Sequence, residues 1–309
     1  MSSVSSGREL VQLKRARGLS VAVCLPALNE QDTIGTICQE TTVGLRDGLG
    51  LVDELLVVDS GSEDDTVLRA REAGATVFRS SHLAPELPFG GKGEALWKSL
   101  AATNCSIIVW VDSDVCNFDS NWVVELLAPL LAGKALMTKG SYRRPLSTNG
   151  SVDEDGGGRV TELLARPLIN ALWPELVHVK QPLAGECASY TSLLREVPFL
   201  TGYAVELGLL VEFAHRYGPD SICDVDLGTR MHRNRPLREV AKMSFEIIHG
   251  AAGLLEAHQR TPRLNLSNVL VQPGDLTDSI HHVDIRRLPP RIALRTSVGE
   301  DEPIMAAAG

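Results

Sequence analysis

The 309 residues, 44% hydrophobic and 22% charged, suit one large domain or two modest ones at roughly 150 residues each, and exclude fibrous and miniature disulfide-stapled classes. Thirty Lys and Arg against 39 Asp and Glu leave a net charge of −9, which argues against a general nucleic-acid binder, because backbone binding draws on clustered cations. The apolar run at residues 19–28 contains Pro26 and is about half the length of a membrane span, so no spanning helix is expected.

In chain order, residues 19–25 and 54–58 read as strands, each ending in a polar turn and followed by a stretch of mixed polarity. Residues 75–79 read as a third strand, 93–102 as a helix and 106–111 as a fourth strand. Continuous rather than alternating apolarity predicts strands covered on both faces, as in a parallel sheet. Past about residue 135 the pattern becomes α+β: a strand over 134–142, helices over 160–173 and 204–216, a strand over 222–227 and a long helix over 237–259. The expected organisation is an N-terminal extension at 1–18, an α/β half at 19–135, a second half at 136–260 sharing the same core, and a C-terminal extension at 261–309 with a loose tail. Cys24, Cys38, Cys105, Cys116, Cys187 and Cys223 form no CxxC pair, which predicts reduced thiols and a cytoplasmic protein.

The polar strings Pro26-Ala27-Leu28-Asn29-Glu30, Asp59-Ser60-Gly61-Ser62 and Asp112-Ser113-Asp114 all fall just past strand carboxyl ends, the edge where open α/β sheets bind ligands. Two carboxylates at i, i+2 suit a divalent cation or a ribose; an isolated pair equally suits a turn or a helix cap near Asp119. Glu30 and Asp59 on the same edge favour a metal-nucleotide site, since such a cleft needs cations to offset its charge. Lys92, between Gly91 and Gly93, is placed to approach a uracil or a phosphate, although no P-loop and no GxGxxG fingerprint is present. Gly156-Gly157-Gly158-Arg159 with Thr161 reads as a cradle for an acidic phosphate. His232, Arg233, Asn234 and Arg235 combine a metal-binding imidazole with cationic groups, whereas His215, His249 and His258 read as surface residues.

These strings, together with Gly91-Lys-Gly-Glu-Ala95, Tyr142-Arg-Arg-Pro-Leu146, Gly157-Gly-Arg-Val-Thr-Glu162, Gln181-Pro-Leu183, Gly202-Tyr203 with Glu206, and His232-Arg-Asn-Arg-Pro236, closely resemble the actinobacterial glucosyl-3-phosphoglycerate synthases. The match is ordered over about residues 20–240, and its GGRVTE and HRNRP segments are its more specific parts. The resemblance implies a GT-A, Rossmann-like nucleotide-sugar fold with a mixed sheet and an α+β acceptor-binding half. It also implies a retaining transfer of glucose from UDP-glucose to the 2-hydroxyl of 3-phosphoglycerate, with Mg²⁺ or Mn²⁺, in a homodimer.

Carried over by motif, the resemblance gives Pro26, Leu28, Glu30, Ser60, Lys92 and Asp112 to the uridine and ribose, and Asp114 with His232 to the metal. Arg230 and Arg235 flank the diphosphate, while Gly158, Arg159, Thr161, Tyr203 and Asn234 hold the acceptor, with Glu206 toward hydroxyls. The backbone carbonyl of Leu183 is placed near the reacting carbon, which suits same-face attack, although Glu186 and Glu206 stay open as carboxylate nucleophiles. The alternatives are a mannosyl-3-phosphoglycerate synthase, a polyprenyl-phosphate glycosyltransferase and a non-catalytic nucleotide-sugar binder.

Overall fold

The computed structural model describes residues 7–85, 91–148, 151–153, 157–231, 236–272 and 279–294. Helix α1 (Gly7–Ala16) leads into β1 (Val21–Ala27), then α2 (Ile34–Glu40), which widens into a π turn at Thr41–Gly48. There follow β2 (Glu54–Asp59), α3 (Thr66–Glu72), β3 (Thr76–Arg79), α4 (Lys92–Ser99), β4 (Ile107–Trp110) and α5 (Asn121–Leu131). After β5 (Met137–Arg143), the strands β6 (Leu146–Thr148) and β7 (Ser151–Asp153) pair as a hairpin. A π turn at Thr161–Ala165 then leads into α6 (Arg166–Leu172), consistent with Pro167, which lacks the N–H that a regular helix would use. The chain continues through β8 (Cys187–Tyr190), α7 (Thr191–Leu194), β9 (Phe199–Leu200), α8 (Val205–Tyr217), β10 (Ile222–Thr229) and α9 (Leu237–Ala257). It closes with the hairpin β11 (Val269–Gln272) and β12 (Ser279–His282), and β13 (Arg287–Leu288).

Seven strands form one sheet in the order β10-β5-β8-β4-β1-β2-β3. All neighbours are parallel except β8, which runs antiparallel between β4 and β5. The expected α/β class with a mixed sheet is therefore the observed one. Strands β1 and β4 are apolar without alternation because helices cover both faces of the sheet. One apolar layer includes Trp97 on α4 and Trp110 on β4 against α8 and α9; the other sets α1, α2 and α5 against the opposite face.

Several expectations need correction. Within the N-terminal extension, residues 7–16 pack on the core: Leu10 and Val11 are buried, and the Lys14 ammonium, also buried, binds Asp53 at 2.9 Å and the carbonyls of Gly50 and Leu51 at 3.0 Å. Part of the expected loose tail is tied in, since β13 pairs with β9 and the Trp97 indole donates to the Pro289 carbonyl at 2.9 Å. His258 is not a plain surface residue: its ring stacks on His215 at 4.1 Å and lies 3.2 Å from Glu212. His249 is half-buried against the Phe245 ring, with Nε2 2.9 Å from the Ser267 carbonyl, so of the three histidines His215 alone is exposed.

Candidate functional site

At the carboxyl edge of β1, β2 and β4 lies a cleft of about 550 Å³ that continues to the helix entered at residue 159 and to α8 and α9. Pro26, Leu28 and Glu30 line it from the end of β1, with Ser60 following β2. Asn29 takes a positive φ of 56°, a conformation Asn tolerates, and its side chain accepts the Glu63 amide at 2.9 Å, fastening the β1 turn to the β2 turn. Asp59, expected in the acidic cleft, is instead buried and accepts the amides of Gly61 and Ser62 at 3.2 and 3.1 Å, so it shapes its own turn.

Asp112 and Asp114 follow β4 and both open on the cleft. The capping role open to an isolated acidic pair falls to Asp119, whose Oδ1 accepts the Asn121 amide at 2.8 Å. Lys92 bridges two carboxylates, with Nζ 2.7 Å from Asp112 and 2.6 Å from Glu206. Burial alone would push the Lys92 ammonium down, but Asp112 and Glu206 outweigh it and hold its pKa well above the usual lysine range. Burial likewise opposes the Asp112 charge, and Lys92 and Arg230 overcome it and depress its pKa.

The signs of these shifts fix a pH dependence. Asp112 contributes stability that is full above its unfolded value near about 3.9 and lost as the pH falls through its depressed native value. Lys92 contributes stability that is full below about 10.4 and lost as the pH rises through its raised native value. The stability gap between the wild type and Asp112→Asn is therefore expected to be flat from about pH 5 to 9 and to shrink below about pH 4. Denaturant unfolding across that range measures it, and a gap that widens with acid refutes the assignment.

Arg230, buried at the end of β10, reaches Asp112 at 3.0 Å and Asp114 at 2.7 Å through one nitrogen. Its other terminal nitrogen meets Glu186 at 3.1 Å and Tyr142 Oη at 2.8 Å. Tyr142 donates to the same Glu186 oxygen at 2.8 Å, and burial pushes the phenol up to about 12. Arg230 lines the cleft beside the two aspartates and ties them to Glu186. Glu186, fully buried, is its anchor.

Gly158, Arg159 and a buried Thr161 line the same cleft as the aspartates, and so do Leu183, Tyr203 and Glu206. The Leu183 loop is held by the buried Lys139, whose ammonium donates to the Ala184 carbonyl. Tyr203 is fixed through its backbone, its amide donating to Glu246 on α9 at 2.8 Å. Gly185 permits the arrangement, because a Cβ there would overlap the Asp112 carboxylate. Gly185→Ala is expected to displace Asp112 and lower turnover by about 10- to 100-fold, with a smaller effect on folding; unimpaired activity would show that the carboxylate relocates freely. His232, Asn234 and Arg235, together with Gly156, lie outside the described residues.

Asp112 and Asp114 supply hard oxygen ligands at an open cleft, a donor set that fits Mg²⁺ or Mn²⁺ better than a thiophilic ion. Among the described residues no third His, Cys, Asp or Glu converges with them into a complete metal cluster. The structure adds Tyr142, Arg144 and Glu246 to the site and gives Glu186 a place beside Arg230. Tyr142 and Arg144 stand within the string Tyr142-Arg-Arg-Pro-Leu146 and Glu186 follows Gln181-Pro-Leu183 closely, whereas Glu246 carries no local signal because it reaches the site from the long helix α9.

The fold and site define a nucleotide-sugar-dependent glycosyltransferase of GT-A type, and residues 22–175 match the family described as glycosyl transferase family 2. The chain is 48% identical over 280 residues to glucosyl-3-phosphoglycerate synthase of Mycolicibacterium smegmatis, covering 90% of this chain and 91% of that protein. The crystal structure of the Mycobacterium tuberculosis synthase with Mn²⁺, UDP-glucose and phosphoglyceric acid superposes with a TM-score of 0.82 at 43% identity, over 96% of this chain and 97% of that one. The same enzyme with Mn²⁺, UDP and glucosyl-3-phosphoglycerate also gives 0.82 at 43% identity, over 96% and 98%. The chain belongs to the glucosyl-3-phosphoglycerate synthase family.

Proposed function

We propose that this protein transfers glucose from UDP-glucose to the 2-hydroxyl of 3-phosphoglycerate with retention of configuration. The observation that carries the proposal is the single cleft joining the Lys92, Asp112 and Asp114 edge to the Gly158, Arg159 and Thr161 loop. One cleft lined by both groups of residues supports a nucleotide-diphosphate subsite beside an acidic-acceptor subsite, and the ligands bound by the Mycobacterium tuberculosis enzyme support that pairing.

In this reading the β1 and β2 turns hold the uridine and Asp112 the ribose. Asp114, with His232, would hold the divalent ion, which supplies charge neutralisation to the departing diphosphate when bound. Arg230 and Arg235 add cationic charge on that side. Glu206, fixed by Lys92 at 2.6 Å, faces the sugar, and Leu183 presents its carbonyl near the reacting carbon. Arg159 and Thr161 hold the acceptor phosphate, assisted by Tyr203 and Asn234. Same-face attack then needs no enzyme nucleophile, the leaving phosphate accepting the acceptor proton. The proposal includes the two-half organisation, a homodimer and a cytoplasmic setting; all six cysteines are free, and among the described residues no helix is long and apolar enough to cross a membrane.

A matrix of UDP-glucose, GDP-glucose and GDP-mannose against 3-phosphoglycerate, glycerate and a polyprenyl phosphate, with Mg²⁺, tests this reading by nucleotide release and product mass. The expected product is glucosyl-3-phosphoglycerate, formed with Mg²⁺ or Mn²⁺ and lost in EDTA. A mannosylated or lipid-linked product, or full activity after chelation, would overturn it. Arg159→Ala is expected to lower kcat/KM for the acceptor by about 10- to 150-fold while leaving UDP affinity nearly intact. Equal losses for acceptor and UDP would assign this loop to the nucleotide side.

A further inference from the structure

The proposed acceptor carries two anionic groups, a phosphate and a carboxylate, whereas the loop at residues 157–161 carries one guanidinium, that of Arg159. A second guanidinium lines the same cleft. Arg144 follows β5, and its backbone carbonyl accepts the Gly157 amide at 2.9 Å. Its stem runs beside the acceptor loop: a Cβ on Gly158 would stand 3.7 Å from Arg144 Cδ and 4.0 Å from Thr161 Cβ. Its guanidinium lies 4.8 Å over the Tyr142 ring and donates one terminal nitrogen to Tyr142 Oη at 2.8 Å, while its buried Nε has no hydrogen-bond partner.

Tyr142 is itself rigidly placed. Its ring stacks on Trp122 at 6.2 Å, and its hydroxyl donates to Glu186 at 2.8 Å while accepting Arg230 at 2.8 Å. Arg144 is thus two hydrogen bonds from the arginine that spans Asp112 and Asp114, and at the same time touches the acceptor loop. This places it between the donor end of the cleft and the phosphate cradle. In 3-phosphoglycerate the reacting hydroxyl sits on the carbon that bears the carboxylate, and the phosphate is attached through the next carbon. The anionic group nearer the donor end is therefore the carboxylate.

Resting on the acceptor reading above, we propose that Arg144 binds the acceptor carboxylate and makes the enzyme selective for 2-hydroxy acids, with Tyr142 and Glu186 as its positioning residues. A planar guanidinium already anchored at one terminal nitrogen retains its other terminal nitrogen as a donor for a carboxylate.

Calorimetry on the protein loaded with UDP and Mg²⁺ tests the proposal with three probes: 3-phosphoglycerate, glycerate, which lacks the phosphate, and glycerol 3-phosphate, which lacks the carboxylate. Arg144→Gln is expected to weaken 3-phosphoglycerate by about 10- to 100-fold and to leave glycerol 3-phosphate within about twofold, so that the preference between them collapses. Arg159→Ala is expected to do the reverse, eroding the preference for 3-phosphoglycerate over glycerate. Arg144→Lys should restore part of the binding, as a point charge without the planar fork. The proposal is overturned if Arg144→Gln weakens glycerol 3-phosphate as much as 3-phosphoglycerate, or weakens UDP itself, since Arg144 would then merely support Tyr142 and Arg230. Wild-type protein that binds none of the three probes would instead overturn the acceptor reading, and this inference with it.

Discussion

Asp114→Asn is expected to lower turnover by about 100- to 1000-fold while the protein stays folded. Asp114 is the more exposed of the acidic pair, with 27% of its side chain accessible against 15% for Asp112, so it is the carboxylate presented to a ligand in the cleft. Its removal leaves Arg230 still bound to Asp112 at 3.0 Å and Glu186 at 3.1 Å, which is why the fold should tolerate the change. The loss falls on charge developing at the diphosphate, so it should appear mainly in kcat. Circular dichroism and thermal melting check the fold, and wild-type turnover at saturating Mg²⁺ would remove Asp114 from the site.

The second large effect concerns stability as well as activity. Arg230→Met is expected to cost about 3 to 5 kcal/mol, because a fully buried Glu186 carboxylate loses its cationic partner in a place water does not reach. Both Glu186 oxygens then lack a cation, and one of them already has no hydrogen-bond partner. Adding Glu186→Gln to the Arg230→Met variant should recover part of the lost stability, since a neutral amide is cheaper to bury than an unpaired charge, but should not recover turnover. Denaturant unfolding of both variants, with assays of each, reads the two effects apart. Equal stability of the single and double variants would show that Glu186 is not the residue stranded.

The sequence by itself determined the strand and helix pattern wherever the apolar run was continuous and its end was marked by a polar turn. β1, β2 and β4 stand close to their expected positions because a fully covered strand needs uninterrupted apolar residues, and that requirement is local. The site's donor edge was legible for the same reason: Glu30, Lys92, Asp112 and Asp114 each follow a strand or open a helix at the same side of the sheet. The ordered strings also carried the family, because they preserve residue types at fixed spacing.

Tertiary structure alone decided the rest. β8 is four residues long and runs antiparallel to both neighbours, so nothing in its own sequence announces that it divides β4 from β5. Helix α1 carries so short an apolar stripe that its burial depends on the surface offered by α5 and by the Gly50 to Asp53 turn. Glu186 and Tyr142 lie 44 positions apart and Arg230 another 44 beyond Glu186, and their shared hydrogen bonds exist because β5, β8 and β10 bring those distant segments to one edge. Asp59 shows the same limit from the other side. Its sequence position matches that of a cleft carboxylate, yet two backbone amides of its own turn capture it, a choice made by loop geometry rather than by residue type.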